Sequence, residues 1–257
     1  MKITICIPTY NRAAHLTNCL QSIISNKSRS KIDFQVCVSD NCSTDETERV
    51  VRSAQKNITI KYKKNSHNLG IPRNFLNAVE MAEGDFVWLI GDDDLLMPNA
   101  IAELYKLIDE HQSVDFFYVN SFNLSTEYVL SFPQPFDTAD LPKKMTTFSS
   151  YQISGRRSFI SLVDPEVSFD FVGAMFLAVF RKKNWLENVN ALDSNAIADP
   201  RTFSHFDNTF PHVKIFARAF ANSQAYIFTR PLTVNLSGAR EWAPMSPLIN
   251  IVRLIEA

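Results

Sequence analysis

Three consecutive carboxylates, Asp92, Asp93 and Asp94, follow the apolar run Phe86 to Ile90 and a single glycine, Gly91. A continuous apolar run of this kind suits a strand buried on both faces. Like charges crowded at the end of such a strand repel unless a cation or hydrogen-bond donors offset them. Carboxylate oxygens are hard ligands of the kind that Mg²⁺ and Mn²⁺ take. The carboxyl ends of strands in open α/β sheets are also where ligands bind. The plainer explanation is a solvated turn whose aspartates cap the next helix, since Pro98 opens a pattern with Ile101, Leu104, Tyr105 and Ile108 on one face. Three carboxylates after a fully apolar strand favour the cation site. Removing the charge of Asp93 is then expected to relieve the cluster and leave the fold intact.

The surrounding pattern says what positions this triplet. Residues 2–9 form a strand, and Asn11-Arg12 leads into a helix with Leu16, Cys19, Leu20, Ile23 and Ile24 inward. Residues 34–39 are a second strand ending in Asp40, after which Ser43 and Glu46 make a capping-box pattern for a helix to Gln55. A third strand is expected over 58–63, a turn at Asn68-Leu69-Gly70, and a helix over 74–82 with Phe75, Val79 and Ala82 in phase. Strands alternating with helices over residues 1–120 argue a parallel, doubly wound sheet. No Gly-rich phosphate fingerprint follows the first strand, which disfavours a dinucleotide or P-loop site.

A further strand is expected over 114–120, and then the order degrades. Residues 122–150, with Pro133, Pro135 and Pro142, read as a long mobile excursion. Residues 171–180 are apolar enough for a central strand, closed by Arg181-Lys182-Lys183, and 187–209 read as irregular. A helix starts at Pro211 with Val213, Phe216, Ala217 and Phe220 in phase, and short strands follow over 225–228 and 232–236. The tail from Pro247, with Ile249, Val252, Leu254 and Ile255, reads as an amphipathic helix.

With 26 basic against 27 acidic residues, nothing suggests nucleic acid as a partner. The four cysteines match no zinc spacing and read as reduced thiols of a cytoplasmic protein. A chain that opens directly on a strand is expected to carry no signal peptide, and no apolar run reaches the length of a membrane span. The 20 phenylalanines, concentrated after residue 115, fit either a Phe-rich core or an aromatic, membrane-facing surface.

Taken as a set, Ile7-Pro-Thr-Tyr-Asn-Arg12, Val38-Ser-Asp-Asn-Cys-Ser-Thr-Asp-Glu-Thr47, Asn68-Leu-Gly70 and the acidic triplet resemble family 2 glycosyltransferases of the GT-A fold. The resemblance is close over 1–120 and architectural beyond. It implies an α/β, Rossmann-like, mostly parallel sheet flanked by helices, with a less regular acceptor-side second half. On that basis 1–120 is the nucleotide-sugar-binding half, 121–240 the acceptor-binding half, and 241–257 a C-terminal helix. The implied reaction moves a sugar from a nucleotide diphosphate donor to an acceptor hydroxyl with inversion, in O-antigen or capsule polysaccharide synthesis. Mn²⁺ or Mg²⁺ is the implied cofactor. A saccharide or lipid-linked saccharide is the implied acceptor, met in the cytoplasm or peripherally at the inner face of the membrane.

The same resemblance assigns roles. Pro8 and Thr9 shape the base pocket, Asp40 accepts hydrogen bonds from base or ribose, and Asn11, Arg12, Gly70, Arg73 and Asn74 approach the donor. Asp40 as a helix-terminus contact and Asn74 as helix packing are the structural alternatives. The triplet departs from the common pattern Asp-Ser-Asp-Asp, because Gly91 occupies the first Asp position. In that register Asp93 is the metal ligand and Asp92 lies nearer the ribose; a shift by one makes Asp92 and Asp94 the pair. We assign Asp92 and Asp93 to the nucleotide sugar, and Asp93 and Asp94 to the metal. Inversion needs a general base, which the family takes from just before a late helix. Asp207 and His212 are nearest that position, with Asp199 behind them, although the usual Glu-Asp pair is missing. A nucleotidyltransferase making a nucleotide sugar, or a non-catalytic module that kept the fold, are the competing functions.

Overall fold

The computed structural model describes residues 1–163, 170–240 and 243–254. Ten strands among them form one mixed sheet flanked by helices. The first part alternates as its pattern dictates: β1 (Ile3–Thr9), α1 (Ala13–Arg29), β2 (Phe34–Asp40), α2 (Thr47–Ala54), β3 (Ile60–Lys64), α3 (Ile71–Glu80) and β4 (Phe86–Leu89). Strands β3, β2, β1 and β4 lie side by side and parallel, with Thr9 opposite Asp40 at the ends of β1 and β2. β1, β2 and β4 are buried along their whole length, as continuous apolar strands covered on both faces should be.

After β4 the chain runs through the triplet into β5 (Leu95–Leu96), α4 (Ala100–Glu110) and β6 (Phe116–Ser125). Residues 122–150 then depart from the expected mobile excursion. β6 continues to Ser125, α5 (Thr126–Leu130) follows, and β7 (Thr146–Thr147) returns to pair with β6. Val129 and Phe136 bury themselves against Leu95, Val234 and Leu236 in a small second core, which is what orders this proline-bearing stretch. β8 (Gly155–Ser158) and α6 (Asp170–Gly173) come next.

The central strand expected over 171–180 is confined to β9 (Ala178–Arg181), antiparallel to both β4 and β6. Ahead of it, residues 175–177 make a 3₁₀ turn whose Phe176 carbonyl accepts from Trp88 Nε1 at 2.8 Å. A buried apolar run does not by periodicity distinguish strand from helical turn. The stretch read as irregular holds α7 (Lys182–Asn188), α8 (Ser194–Ala198) and α9 (Phe206–Thr209), before α10 (Pro211–Phe220). The two late strands are one, β10 (Gln224–Ser237), parallel to β6, with register shifts around Pro231. The tail helix is α11 (Ser246–Leu254), and Ile255 lies outside the described residues.

Among the described residues, many late phenylalanines are core, including Phe116, Phe117, Phe159, Phe180, Phe216 and Phe220. Phe116 meets Phe159 and Phe216 edge-on at 4.9 and 5.1 Å, and Phe180 stacks on Trp185 at 4.9 Å, geometries that add to area burial. Among the described residues no helix is long and apolar enough to cross a membrane.

Candidate active site

The ends of β1, β2 and β4 define one rim of the sheet, and the site is built on it. At the end of β1 the backbone must turn sharply into α1. Asn11 does this at φ 51, a left-handed conformation that asparagine tolerates. Its amide donates to Ser43 Oγ (2.8 Å) and its Oδ1 accepts from the Thr44 amide (2.7 Å). The turn points Arg12 at the triplet: Nε donates to Asp92 Oδ1 at 2.8 Å, and Nη2 to Asp93 Oδ2 at 2.9 Å. Thr9 Oγ1 donates to the other oxygen of Asp92 at 2.8 Å. Pro8 is buried inside β1, opposite Ser39.

The triplet loop is held from below and from the side. The Leu96 amide donates to Ser22 Oγ, and Asn26 Nδ2 to the Met97 carbonyl, both from the inward face of α1. β5 pairs antiparallel with β10, Leu95 opposite Val234 and Leu96 opposite Thr233. That register carries the end of β10 across the triplet: Asn235 Nδ2 donates to Asp94 Oδ1 at 3.2 Å, and the chain beyond it delivers Arg240. Arg240 grips Asp93 with both Nε (3.0 Å) and Nη2 (2.9 Å), and Arg12 Nη1 donates to the Ala239 carbonyl at 2.8 Å. Nothing in the sequence pattern links Arg240 to a triplet 147 positions earlier; only the β5–β10 pairing does.

These contacts sort the three carboxylates. Burial raises the pKa of Asp92 to about 6, with Asp93 adding to it, and burial with Asp93 raises that of Asp94 to about 7. Burial pushes Asp93 the same way, but the charge and hydrogen bonds of Arg240, then Arg12, outweigh it and hold that carboxyl below its ordinary value. Burial disfavours the Arg240 cation, and the Asp93 carboxylate outweighs this and raises its pKa. Removing the charge of Asp93 therefore takes from Arg240 its paired carboxylate and from Arg12 one of two, contrary to the relief expected from sequence.

In donor type and charge the triplet fits a hard divalent cation. Three carboxylates face two guanidiniums, and one negative charge is left over. The side chains are not assembled around an ion, however: among the described residues no cluster of three or more acidic, histidine or cysteine side chains is arranged to hold one. Asp93 would have to exchange its Arg240 contact for the metal.

Asp40, fully buried at the end of β2, accepts from the Ser43 amide (2.8 Å) and the Tyr62 hydroxyl (2.6 Å). The capping-box expectation therefore fails here. Ser43 serves Asp40 and Asn11, and α2 starts at Thr47, where Asp45 takes the amide and hydroxyl of Thr47. Gly70 adopts φ +82 ahead of α3, a conformation that favours glycine. Asn74, buried on α3, accepts from Ser39 Oγ (2.8 Å) and donates to the Thr9 (3.3 Å) and Ser39 (3.0 Å) carbonyls. It acts on the rim by tying the ends of β1 and β2 together. Arg73, the residue before it on the same helix, is exposed.

In the second half of the chain, Asp207 is buried in α9. Its Oδ2 accepts from the Asp193 amide at 2.7 Å and its Oδ1 lies 2.6 Å from Lys214 Nζ. His212 is buried on α10 between Phe210 and Phe216, edge-on to both. Asp199 pairs with Arg201 and His205, and the Arg201 hydrogen bonds hold its carboxyl well below the usual range. The structure thus brings Thr9, Arg12 and the triplet into direct contact and sets Asp40 beside them. Asp207 and His212 belong to a separate helical layer, whose α9 packs on α3.

The mixed sheet, with carboxylates clustered at the ends of its parallel strands, is an α/β architecture whose ligand rim lies at those strand ends. Residues 4–164 match the sequence profile of Glycosyl transferase family 2, and the chain belongs to that family. It is 41% identical over 116 residues to the abequosyltransferase RfbV of Salmonella typhimurium, a match covering 44% of this chain and 34% of that protein. The matched stretch thus spans about a third of that relative. Among solved structures, S. aureus TarS 1-349 in complex with UDP-GlcNAc superimposes with a TM-score of 0.65 at 18% identity, over 94% of this chain and 59% of that one. The mannosyltransferase PcManGT from Pyrobaculum calidifontis, in complex with GDP-Man and Mn²⁺, gives 0.55 at 17% identity, over 93% and 58%. These likenesses establish the fold.

Proposed function

We propose that the chain transfers a sugar from a nucleoside diphosphate donor to an acceptor hydroxyl, with inversion, in the synthesis of a surface polysaccharide such as O-antigen or capsule. The observation that carries this is the shared rim: Asp40 ends β2 opposite Thr9, and Thr9 in turn holds Asp92 of the triplet. One elongated ligand, with a base at one end and a diphosphate at the other, spans that row. In this reading residues 1–120 bind the donor, 121–240 the acceptor, and the tail from 241 packs as a helix. The relative named an abequosyltransferase and the UDP-GlcNAc complex of TarS agree with it.

Asp40 accepts from base or ribose, with Pro8 and Thr9 shaping that pocket. Asn11, Gly70 and Asn74 fix its walls through the turns and clamps described above. Arg12, already bonded to Asp92 and Asp93, offers its charge to the diphosphate. Asp93 and Asp94 would hold Mn²⁺ or Mg²⁺, and the Mn²⁺ complex of PcManGT supports that choice. When bound, such an ion offsets leaving-group charge as a Lewis acid. Asp207 accepts the proton of the acceptor hydroxyl as its oxygen bonds to the anomeric carbon, while the electrons of the broken sugar–phosphate bond leave with the diphosphate. The chain works in this reading in the cytoplasm, at the inner membrane face where a lipid-linked saccharide acceptor is met.

Hydrolysis of a panel of nucleotide sugars, with Mn²⁺ or with chelator, tests the proposal. Slow release of free sugar and nucleoside diphosphate from one donor supports it. Formation of a nucleotide sugar from a sugar phosphate and a nucleoside triphosphate would replace it with nucleotidyl transfer, and inertness towards every donor would leave only a binding module.

A further inference from the structure

The glycine that breaks the family's acidic pattern and the arginine that sequence reading misses meet at one point. A Cβ on Gly91 would lie 2.9 Å from Arg240 Nη2 and 2.6 Å from Asp93 Oδ1, too close for either to stay. The missing side chain is the room into which the guanidinium reaches. Asp93 is 1% exposed, with Arg240 on both oxygens and Arg12 on one. A cation therefore finds no open face on the carboxylate best suited to receive it.

We propose that Arg240 is the resident counter-ion of the triplet, latching residues 238–240 over the site until a divalent cation displaces it. This rests on the metal reading given above. With all three carboxylates ionised the charges favour exchange: two guanidiniums leave −1, whereas Arg12 and a divalent ion bring the three to zero. The backbone allows it as well. β10 is tied down as far as Ser237, whose carbonyl accepts from Thr126 Oγ1 at 2.7 Å. Gly238 follows at φ +80, with nothing within 4 Å of where its Cβ would be. A pivot beside a fixed strand end moves Arg240 without disturbing the sheet. The Arg12 bond to Ala239 links the latch to the residue that faces the diphosphate, so donor and cation both bear on it.

The test is calorimetric titration with Mn²⁺ alone of the wild type and of Arg240→Met, which keeps an extended side chain and loses the competing charge. We expect the variant to bind Mn²⁺ about ten-fold more tightly, since one charge-assisted pair no longer has to be broken. Equal or weaker affinity would overturn the latch while leaving the metal site standing. Absence of Mn²⁺ binding by both forms, with or without UDP, would overturn the metal reading and the latch together. A second measurement needs no variant. Trypsin must seat the Arg240 side chain to cut after it, so Mn²⁺ should speed that cleavage in the wild type over EDTA. An unchanged rate counts against the latch.

Discussion

The Tyr62 hydroxyl donates to Asp40 Oδ2 at 2.6 Å, so a side chain on β3 sets the orientation of a buried carboxylate at the end of β2. Burial and this bond to Asp40 together raise the pKa of the phenol, keeping it a donor. The carboxylate proposed to meet the nucleotide thus depends on a neighbour that no motif marks. Asp40→Ala should weaken nucleoside diphosphate binding whether or not metal is present. Tyr62→Phe should weaken it about ten-fold or more, since a hydrogen bond to a charged group is worth about 1.5–3 kcal/mol. Titration with UDP, GDP, CDP and dTDP checks both. A fall in melting temperature with unchanged affinity would make the pair purely structural.

Asp93 and Asp94 should respond to pH in opposite senses. In metal-free protein the Asp94 carboxyl is pushed up to about 7 and Asp92 to about 6, against an unfolded value of ~3.9. Between those values the folded chain holds more protons than the unfolded one, so these two groups make stability fall as pH rises through that window. Asp93, held low, contributes stability above its unfolded value that is lost as pH falls through its folded one. Asp94→Asn should accordingly flatten the decline in melting temperature from pH 5 to 7.5 measured in EDTA, and Asp93→Asn should lower the melting temperature at pH 7.5. The reverse pattern would mean that the arginines do not settle on Asp93.

For the base, Asp207→Asn should cut turnover ~10²–10⁴-fold with donor affinity near wild type, because the base meets only the acceptor. His212 lies between two phenylalanines, and its Ala variant should lose stability before it loses a proton acceptor. If His212→Ala instead shows the selective loss of turnover, the assignment moves to His212. Single-turnover assays on an acceptor separate the two.

Asn74→Ala removes the side-chain partner of the Ser39 hydroxyl and of the Ser39 carbonyl, and one of two donors to the Thr9 carbonyl, which keeps the Asn41 amide at 2.9 Å. A cost of about 2–3 kcal/mol follows from the usual worth of buried hydrogen bonds. Urea denaturation measures it, and a change below ~0.5 kcal/mol would remove the clamp.

Residues 1–120 were legible because β1, β2 and β4 each announce themselves as an apolar run ending in polar residues, and Thr9, Asp40 and Asp92 all stand on the rim. What escaped depends on distance along the chain. Arg240 reaches Asp93 only through the pairing of two-residue β5 with the far end of β10, and no local periodicity encodes that. Lys214 beside Asp207 was hidden for a similar reason, lying on the next helix. The run 171–180 misled because its apolar residues are buried in a 3₁₀ turn as well as in β9, and hydrophobicity reports burial rather than backbone shape. Ser43 was misread because its hydroxyl had a better partner, the Asn11 amide, than the helix it precedes.

Strand β3 ends one side of the sheet, with the sequence Ile-Lys-Tyr-Lys-Lys and with Lys61, Lys63 and Lys64 exposed. Unpaired edge strands invite another chain to add to them, and lysine is a common deterrent. An approaching strand here would meet three ammonium groups within five residues. The side chain between them, Tyr62, is already committed to Asp40. The edge that orients Asp40 from within is therefore guarded against self-association from without, and neutralising its lysines should expose the protein to aggregation before it disturbs that carboxylate.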